Sequence, residues 1–213
     1  MESKEKRVIG ITGGVGAGKS TVLVLLQEGW AARIIQADTV ARELMEPGGS
    51  CFQAVTEAFE TGILGADGAI DRGALAEIVF HSETQRQELN ALTHPRVYEE
   101  VRARIAAAEE PLVVYETALP EEARLRELCR EIWYIYAPEE VRIRRLMASR
   151  GYSREKCLDV MRSQKPEKVF RRLADRVIDN GGSPEKTRKQ LQTILESDIL
   201  SEKVTATGRW RAT

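Results

Sequence analysis

Nine residues, Gly13-Gly14-Val15-Gly16-Ala17-Gly18-Lys19-Ser20-Thr21, constrain this chain more than any other stretch. They follow the apolar run Val8-Ile9-Gly10-Ile11 and precede Val22-Leu23-Val24-Leu25-Leu26. Strand, glycine loop and helix in that order are the setting of a G-x-x-x-x-G-K-[ST] phosphate loop. Glycines let the backbone turn until successive N–H groups converge on a phosphate, and the helix N-terminus adds partial positive charge. A lysine at position 19 is placed to reach the β- and γ-phosphates, and the Ser20 hydroxyl to hold Mg²⁺. Gly14, Val15, Gly16, Ala17, Gly18, Lys19, Ser20 and Thr21 are therefore candidate nucleotide-binding residues. The implied cofactor is Mg-ATP.

A phosphate loop of this type needs a parallel sheet behind it. Buried parallel strands read as short continuous apolar runs, and five occur: Val8–Ile11, Arg33–Ile35, Leu112–Tyr115, Ile132–Tyr136 and Arg176–Ile178. Helical patterns separate them, which predicts an α/β fold with a doubly wound, five-stranded parallel sheet. About seventy residues separate the second and third runs, far more than the dozen or so a simple crossover takes. They read as helices. Asp38 is placed to cap one through Met45, and Cys51–Glu60 forms another. Asp71 opens a third, Ser82 with Gln85 a fourth to Leu92, and Pro95 a fifth to about Ala108.

This pattern divides the chain into a nucleotide-binding core over 1–45 and 111–200, an inserted helical lobe over 46–110, and a tail over 201–213. Within the core, Pro138-Glu139-Glu140 starts a helix running to Arg150-Gly151. Ser153 caps Arg154–Gln164, and Lys165-Pro166 breaks the chain before Glu167–Ala174, so that a helical lid spans about 142–170. The last helix ends near Glu196.

Position along the strands picks out the chemistry. Ligands of open α/β sheets bind beyond the carboxyl ends of the strands. Asp38 follows the second run there, and its carboxylate could take the proton of an attacking hydroxyl, serve as a helix cap, or both. Glu116 ends the third run, where an acid can approach Mg²⁺ through water. Among Arg142, Arg144, Arg145 and Arg150, basic residues that also suit a helix C-terminus, Arg150 is the best placed to neutralise transferring charge from a mobile lid. His81 and His94 are too few and too isolated for a metal site. Trp30, Trp133 and Trp210 read as packing residues.

A formal net charge of −1 supplies no global basic field, so no nucleic-acid partner is expected. No apolar run reaches membrane-spanning length, and Cys51, Cys129 and Cys157 lack metal-ligand spacing and read as free thiols. The expectation is a cytoplasmic protein with no membrane partner, acting as a monomer.

The ordered motifs resemble the dephospho-CoA kinase family. They are Ile11–Thr21; Ala37-Asp38 with Ala41–Leu44 and Glu46–Gly48; Ile63–Gly68 with Asp71-Arg72; Leu92–Pro95; Arg145–Met147 with Arg150; Ser153–Glu155; Gln164; Ala174-Asp175; and Val177–Gly182. The resemblance implies ATP-dependent phosphorylation of the ribose 3′-hydroxyl of dephospho-CoA. It implies Asp38 as general base, Lys19 and Arg150 as catalytic cations, a CoA-binding inserted lobe, and Asn180 near the adenine. Three positions differ from the family's usual pattern: Gln36 in place of an acid, Ala31 in place of a glycine, and Pro120 in place of an apolar residue. The nearest rival is another phosphate-loop kinase acting on a nucleoside monophosphate or metabolite hydroxyl. A GTP switch lacks its N-K-x-D motif here, and a non-catalytic ATP-binding module is the third reading.

Overall fold

The structure, a computed structural model, describes residues 6–59, 61–118 and 122–207. Expectations that rest on 1–5, Glu60, 119–121 (with Pro120) and 208–213 (with Trp210) lie outside the described residues. All five apolar runs are strands: β1 (Arg7–Thr12), β2 (Arg33–Gln36), β3 (Leu112–Glu116), β4 (Glu131–Tyr136) and β5 (Arg176–Asp179). They form one parallel sheet in the order β2-β3-β1-β4-β5. The α/β prediction holds.

Helices cover both faces of the sheet, as parallel strands require. On one face Ile9, Ile11, Val114, Trp133 and Ile178 pack against α1 (Lys19–Trp30) and α10 (Pro184–Thr207) through Val22, Leu26, Leu191 and Leu195. On the other, Val8, Val113, Tyr115 and Ile132 meet α2 (Ala37–Leu44), α5 (Glu83–Ala107) and α6 (Glu122–Leu128) through Val40, Val97, Val101 and Leu125. Between α2 and α5 lie α3 (Phe52–Phe59) and α4 (Arg72–His81). They share a separate apolar cluster of Cys51, Val55, Phe59, Ile63 and Leu75 with Leu89 and Leu92 of α5. After β4 come α7 (Glu139–Arg150), α8 (Arg154–Arg162) and α9 (Glu167–Leu173), where Ile143, Leu146 and Cys157 form a fourth small cluster.

Several local expectations need correction. Asp38 does not cap α2: the cap is Gln36 in extended conformation, and Asp38 sits in the first turn, where its charge favours the helix N-terminus. Pro95 does not start a helix but lies inside the 25-residue α5. Its ring removes one backbone donor, yet Thr93, Val97 and Val101 are buried on either side and carry the helix through. Helix α6 has no counterpart in the sequence reading, and α10 runs on to Thr207 rather than ending near Glu196. Asp71 and Ser82 do cap α4 and α5, accepting from Gly73 and Ala74 N–H and from Gln85 N–H.

Ala31 retains the turn a glycine would make. It closes α1 in the left-handed region at φ 49°, the only described non-glycine residue with positive φ, and its N–H donates to Leu26 O. An L-residue there loses about 1–2 kcal/mol relative to glycine, against which glycine's greater freedom in the unfolded chain sets about 0.4–1 kcal/mol. Ala31→Gly is therefore expected to stabilise the fold by about 0.5–1 kcal/mol. A thermal melt that shows a lower midpoint for the variant would contradict this reading.

Candidate active site

Strand register decides which side chains meet. β3 lies between β1 and β2, and Glu116 is level with Ile11 on one side and Gln36 on the other. The phosphate loop leaves β1 just beyond Ile11-Thr12, and Asp38 follows β2 just beyond Gln36. Loop, Glu116 and Asp38 thus share the carboxyl edge of the sheet. Glu116 is buried, and its two oxygens are engaged separately: Oε1 is 3.5 Å from Lys19 Nζ, and Oε2 accepts from Gln36 Nε2 at 3.3 Å. An acid at position 36 would face Glu116 with like charge; the amide donates to it instead.

The loop itself is held from behind. Lys19 Nζ donates to Gly13 O at 2.9 Å, and Arg142 Nε to Val15 O at 2.8 Å. Arg145 Nη1 donates to Ala17 O at 3.1 Å while its Nη2 reaches Asn180 O at 2.8 Å. Asn180 Nδ2 donates to Ala17 O at 2.8 Å and to Gly18 O at 3.2 Å, and its Oδ1 accepts from Thr187 Oγ1 at 2.9 Å. Gly18 has φ 83°, and a Cβ there would stand 2.3 Å from Asn180 Nδ2, so glycine is required twice over. At the other end of the loop, Gln164 Oε1 accepts from Val15 N–H at 2.9 Å. Ser20 and Thr21 lie in the first turn of α1, Ser20 exposed.

This geometry bears on two expectations. Asn180, expected near the adenine, is buried with its amide committed to loop carbonyls and Thr187, which gives it a part in supporting the nucleotide loop that the sequence did not show. Arg142 and Arg145, not Arg150, are the α7 arginines on the loop. They are three residues apart and share a helix face, whereas Arg150 lies about 140° further round from Arg145. It is exposed, with its Cζ 5.8 Å from the centroid of the Tyr152 ring. Burial pulls the Arg142 pKa below its ordinary value.

A cleft of about 380 Å³ opens beside Asp38, walled by α2, α5, the end of β3, α6 and the α8–α9 turn. Ala41, Val97, Leu125 and Phe170 give it apolar walls, while His94, Arg124 and Lys165 bring nitrogen donors. Tyr115 also lines it, and burial pushes its phenol up to about 12, so it stays neutral. Gln164 borders this cleft as well as contacting the phosphate loop. Phe80 of α4 is exposed, and its ring centroid lies 5.9 Å from Lys156 Nζ of α8. Sequence reasoning named Gln164 and His94 without roles and did not single out Arg124, Lys165 or Tyr98. Only the position of α6 and the α8–α9 turn across from Asp38 brings them into the cleft.

The sequence profile of the family described as dephospho-CoA kinase matches residues 7–186. The chain belongs to the dephospho-CoA kinase family. The dephospho-CoA kinase of Carboxydothermus hydrogenoformans is 44% identical over 193 residues, covering 89% of this chain and 93% of that protein. The enzyme of Moorella thermoacetica is 40% identical over 193 residues, covering 89% and 91%. Among solved structures, a Thermus thermophilus protein superposes with a TM-score of 0.75 at 33% identity over 91% of this chain and 98% of its own. Dephospho-CoA kinase from Campylobacter jejuni superposes at 0.60 with 22% identity over 90% and 97%, a likeness in fold. Members of the family are ATP-dependent kinases, and ATP is a substrate of this one. No described helix is long and apolar enough to cross a membrane.

Asn180 provides a test of how the loop is held. Asn180→Ala deletes the donors to Ala17 O and Gly18 O and removes the acceptor of the buried Thr187 hydroxyl, a loss of about 1–3 kcal/mol. A lower melting midpoint and a raised KM for ATP are expected, with KM for the acceptor unchanged. An unaltered KM for ATP would mean that loop geometry does not depend on Asn180.

Proposed function

We propose that this chain transfers the γ-phosphate of ATP to the ribose 3′-hydroxyl of dephospho-CoA, giving coenzyme A and ADP, with Asp38 as general base. The observation that supports the reading is that Asp38 lies on the same carboxyl edge of the sheet as the phosphate loop and lines the cleft walled by α2, α5 and α6. A hydroxyl bound in that cleft meets a carboxylate on one side and the nucleotide on the other, as in-line transfer requires. Asp38 takes the hydroxyl proton as the oxygen attacks the γ-phosphorus and the bond to the β–γ bridging oxygen breaks. Loop N–H groups and Lys19 stabilise the phosphate oxygens, Lys19 exchanging its contact with Gly13 O for them.

Ser20 and Glu116 are the residues that would hold Mg²⁺. A hydroxyl and a carboxylate are hard oxygen donors of the kind this ion takes, with water completing its shell. Glu116 is buried with Oε1 turned toward Lys19, which keeps its charge on the phosphate side of the sheet. When bound, the ion neutralises charge on the β- and γ-phosphate oxygens. Lid residues 142–170 supply cations to the same region, Arg142 and Arg145 at the loop and Arg150 on closure, and a closed lid keeps water from the γ-phosphate. The helices of 46–110 serve as the acceptor lobe, and the enzyme works as a cytoplasmic monomer without nucleic acid or membrane.

The test is ADP release with Mg-ATP in the presence of dephospho-CoA, AMP, dTMP or adenosine. Stimulation by dephospho-CoA alone, with coenzyme A as product, is the expected result; stimulation by a nucleotide instead would replace the acceptor. Asp38→Asn is expected to retain ATP binding while turnover falls roughly 10²-fold or more, the usual scale of general-base loss. Turnover near wild type would remove Asp38 from that role.

A further inference from the structure

The acceptor proposed above carries more than a hydroxyl. If the 3′-hydroxyl lies at Asp38, the 5′-carbon of the same ribose points a diphosphate at the neighbouring wall, and two negative charges there need a cation. Three groups on the cleft wall could supply one: His94 on α5, Lys165 in the α8–α9 turn, and Arg124 on α6. Lys165 travels with the lid, so it is present only when the lid is in place. An imidazole presents each ring nitrogen singly, with no fork to span two phosphate oxygens. A guanidinium is charged at every working pH, and its planar fork matches two phosphate oxygens at once.

Arg124 is also held where it stands. It is half-buried, and its Cζ lies 5.2 Å from the centroid of the Tyr98 ring, which belongs to α5. Tyr98 lines the same cleft. The contact fastens the core helix α6 to the lobe helix α5 at the cleft and limits the rotamers of a long side chain, lowering the entropy lost when it binds an anion.

We propose that Arg124, positioned on the Tyr98 ring, binds the 5′-diphosphate of the acceptor and so selects a ribose bearing that group from other hydroxyl compounds. The inference deepens the dephospho-CoA kinase reading and stands on it. Arg124 is then a specificity residue, placed by the short helix that the sequence alone does not reveal, and its effect falls on acceptor binding rather than on ATP.

Three proteins, wild type, Arg124→Lys and Arg124→Met, decide the matter in steady-state assays with dephospho-CoA and ATP varied separately. Methionine keeps an unbranched stem against Tyr98 without charge; lysine keeps the charge without the fork. Loss of a charge-assisted contact is expected to raise the KM for dephospho-CoA about 10- to 100-fold in Arg124→Met. Arg124→Lys should fall between it and wild type, and the KM for ATP should be unchanged in both. Melting midpoints of all three, measured alongside, establish that the variants are folded. Methionine equal to wild type, or better than lysine, would overturn the proposal, since packing alone would then explain the position. A parallel rise in both KM values would overturn it too, by showing a general disturbance of the cleft. A wild-type protein inactive on dephospho-CoA would instead bring down the parent reading, which separates the two failures.

Discussion

The carbonyls of the phosphate loop are taken by side-chain donors from other parts of the chain, and the site depends on that. In a trans peptide the N–H points away from the C=O. Fixing the carbonyls of Val15, Ala17 and Gly18 therefore turns the N–H groups of Gly16, Gly18 and Lys19 the other way. The donors come from Arg142 and Arg145 on α7 and from Asn180 after β5. Nucleotide loop, α7 and the end of β5 are thereby one hydrogen-bonded unit. A disturbance in α7 or at the end of β5 reaches the phosphate site through the backbone it holds.

The sheet contributes the second constraint, which is register. Because β3 lies between β1 and β2, Glu116 is placed between the lysine of the loop and the amide of Gln36. That one position links the two chain segments that carry the loop and Asp38. It also accounts for Gln36: a neutral donor there satisfies a buried carboxylate that already faces Lys19, whereas a second acid would add like charge in a poorly solvated place. Gln164, in the turn between α8 and α9, borders the cleft beside Asp38 and accepts from Val15 N–H at the nucleotide loop.

Much of the architecture was legible in the sequence because its signals are local. The phosphate loop and five apolar runs are contiguous, and each run became a strand with no end moved by more than one residue. Caps such as Asp71 and Ser82 act within three residues and were readable for the same reason. The misreadings share a cause in tertiary contact. Pro95 looks like a helix start by itself and lies mid-helix because buried neighbours on both sides bind α5 to the sheet and to α3–α4. The phase of α7 gives Arg142 and Arg145 to the loop and leaves Arg150 exposed beside Tyr152, a division that composition near a helix end does not make. Helix α6 is short and charged, and its place is fixed by Leu125 packing over Gly10, where a Cβ would stand 2.5 Å from Leu125 Cδ2. Without α6 in view, Arg124 could not be connected to the cleft.

The most direct measurement is ADP release by the wild-type protein when the acceptor is dephospho-CoA whose ribose 3′-hydroxyl has been replaced by hydrogen. The account predicts that this compound competes with dephospho-CoA for the cleft yet stimulates no ADP release, because the atom Asp38 deprotonates is missing. Release that continues at the rate seen with dephospho-CoA would contradict it, since the phosphate would then be passing to another group or to water.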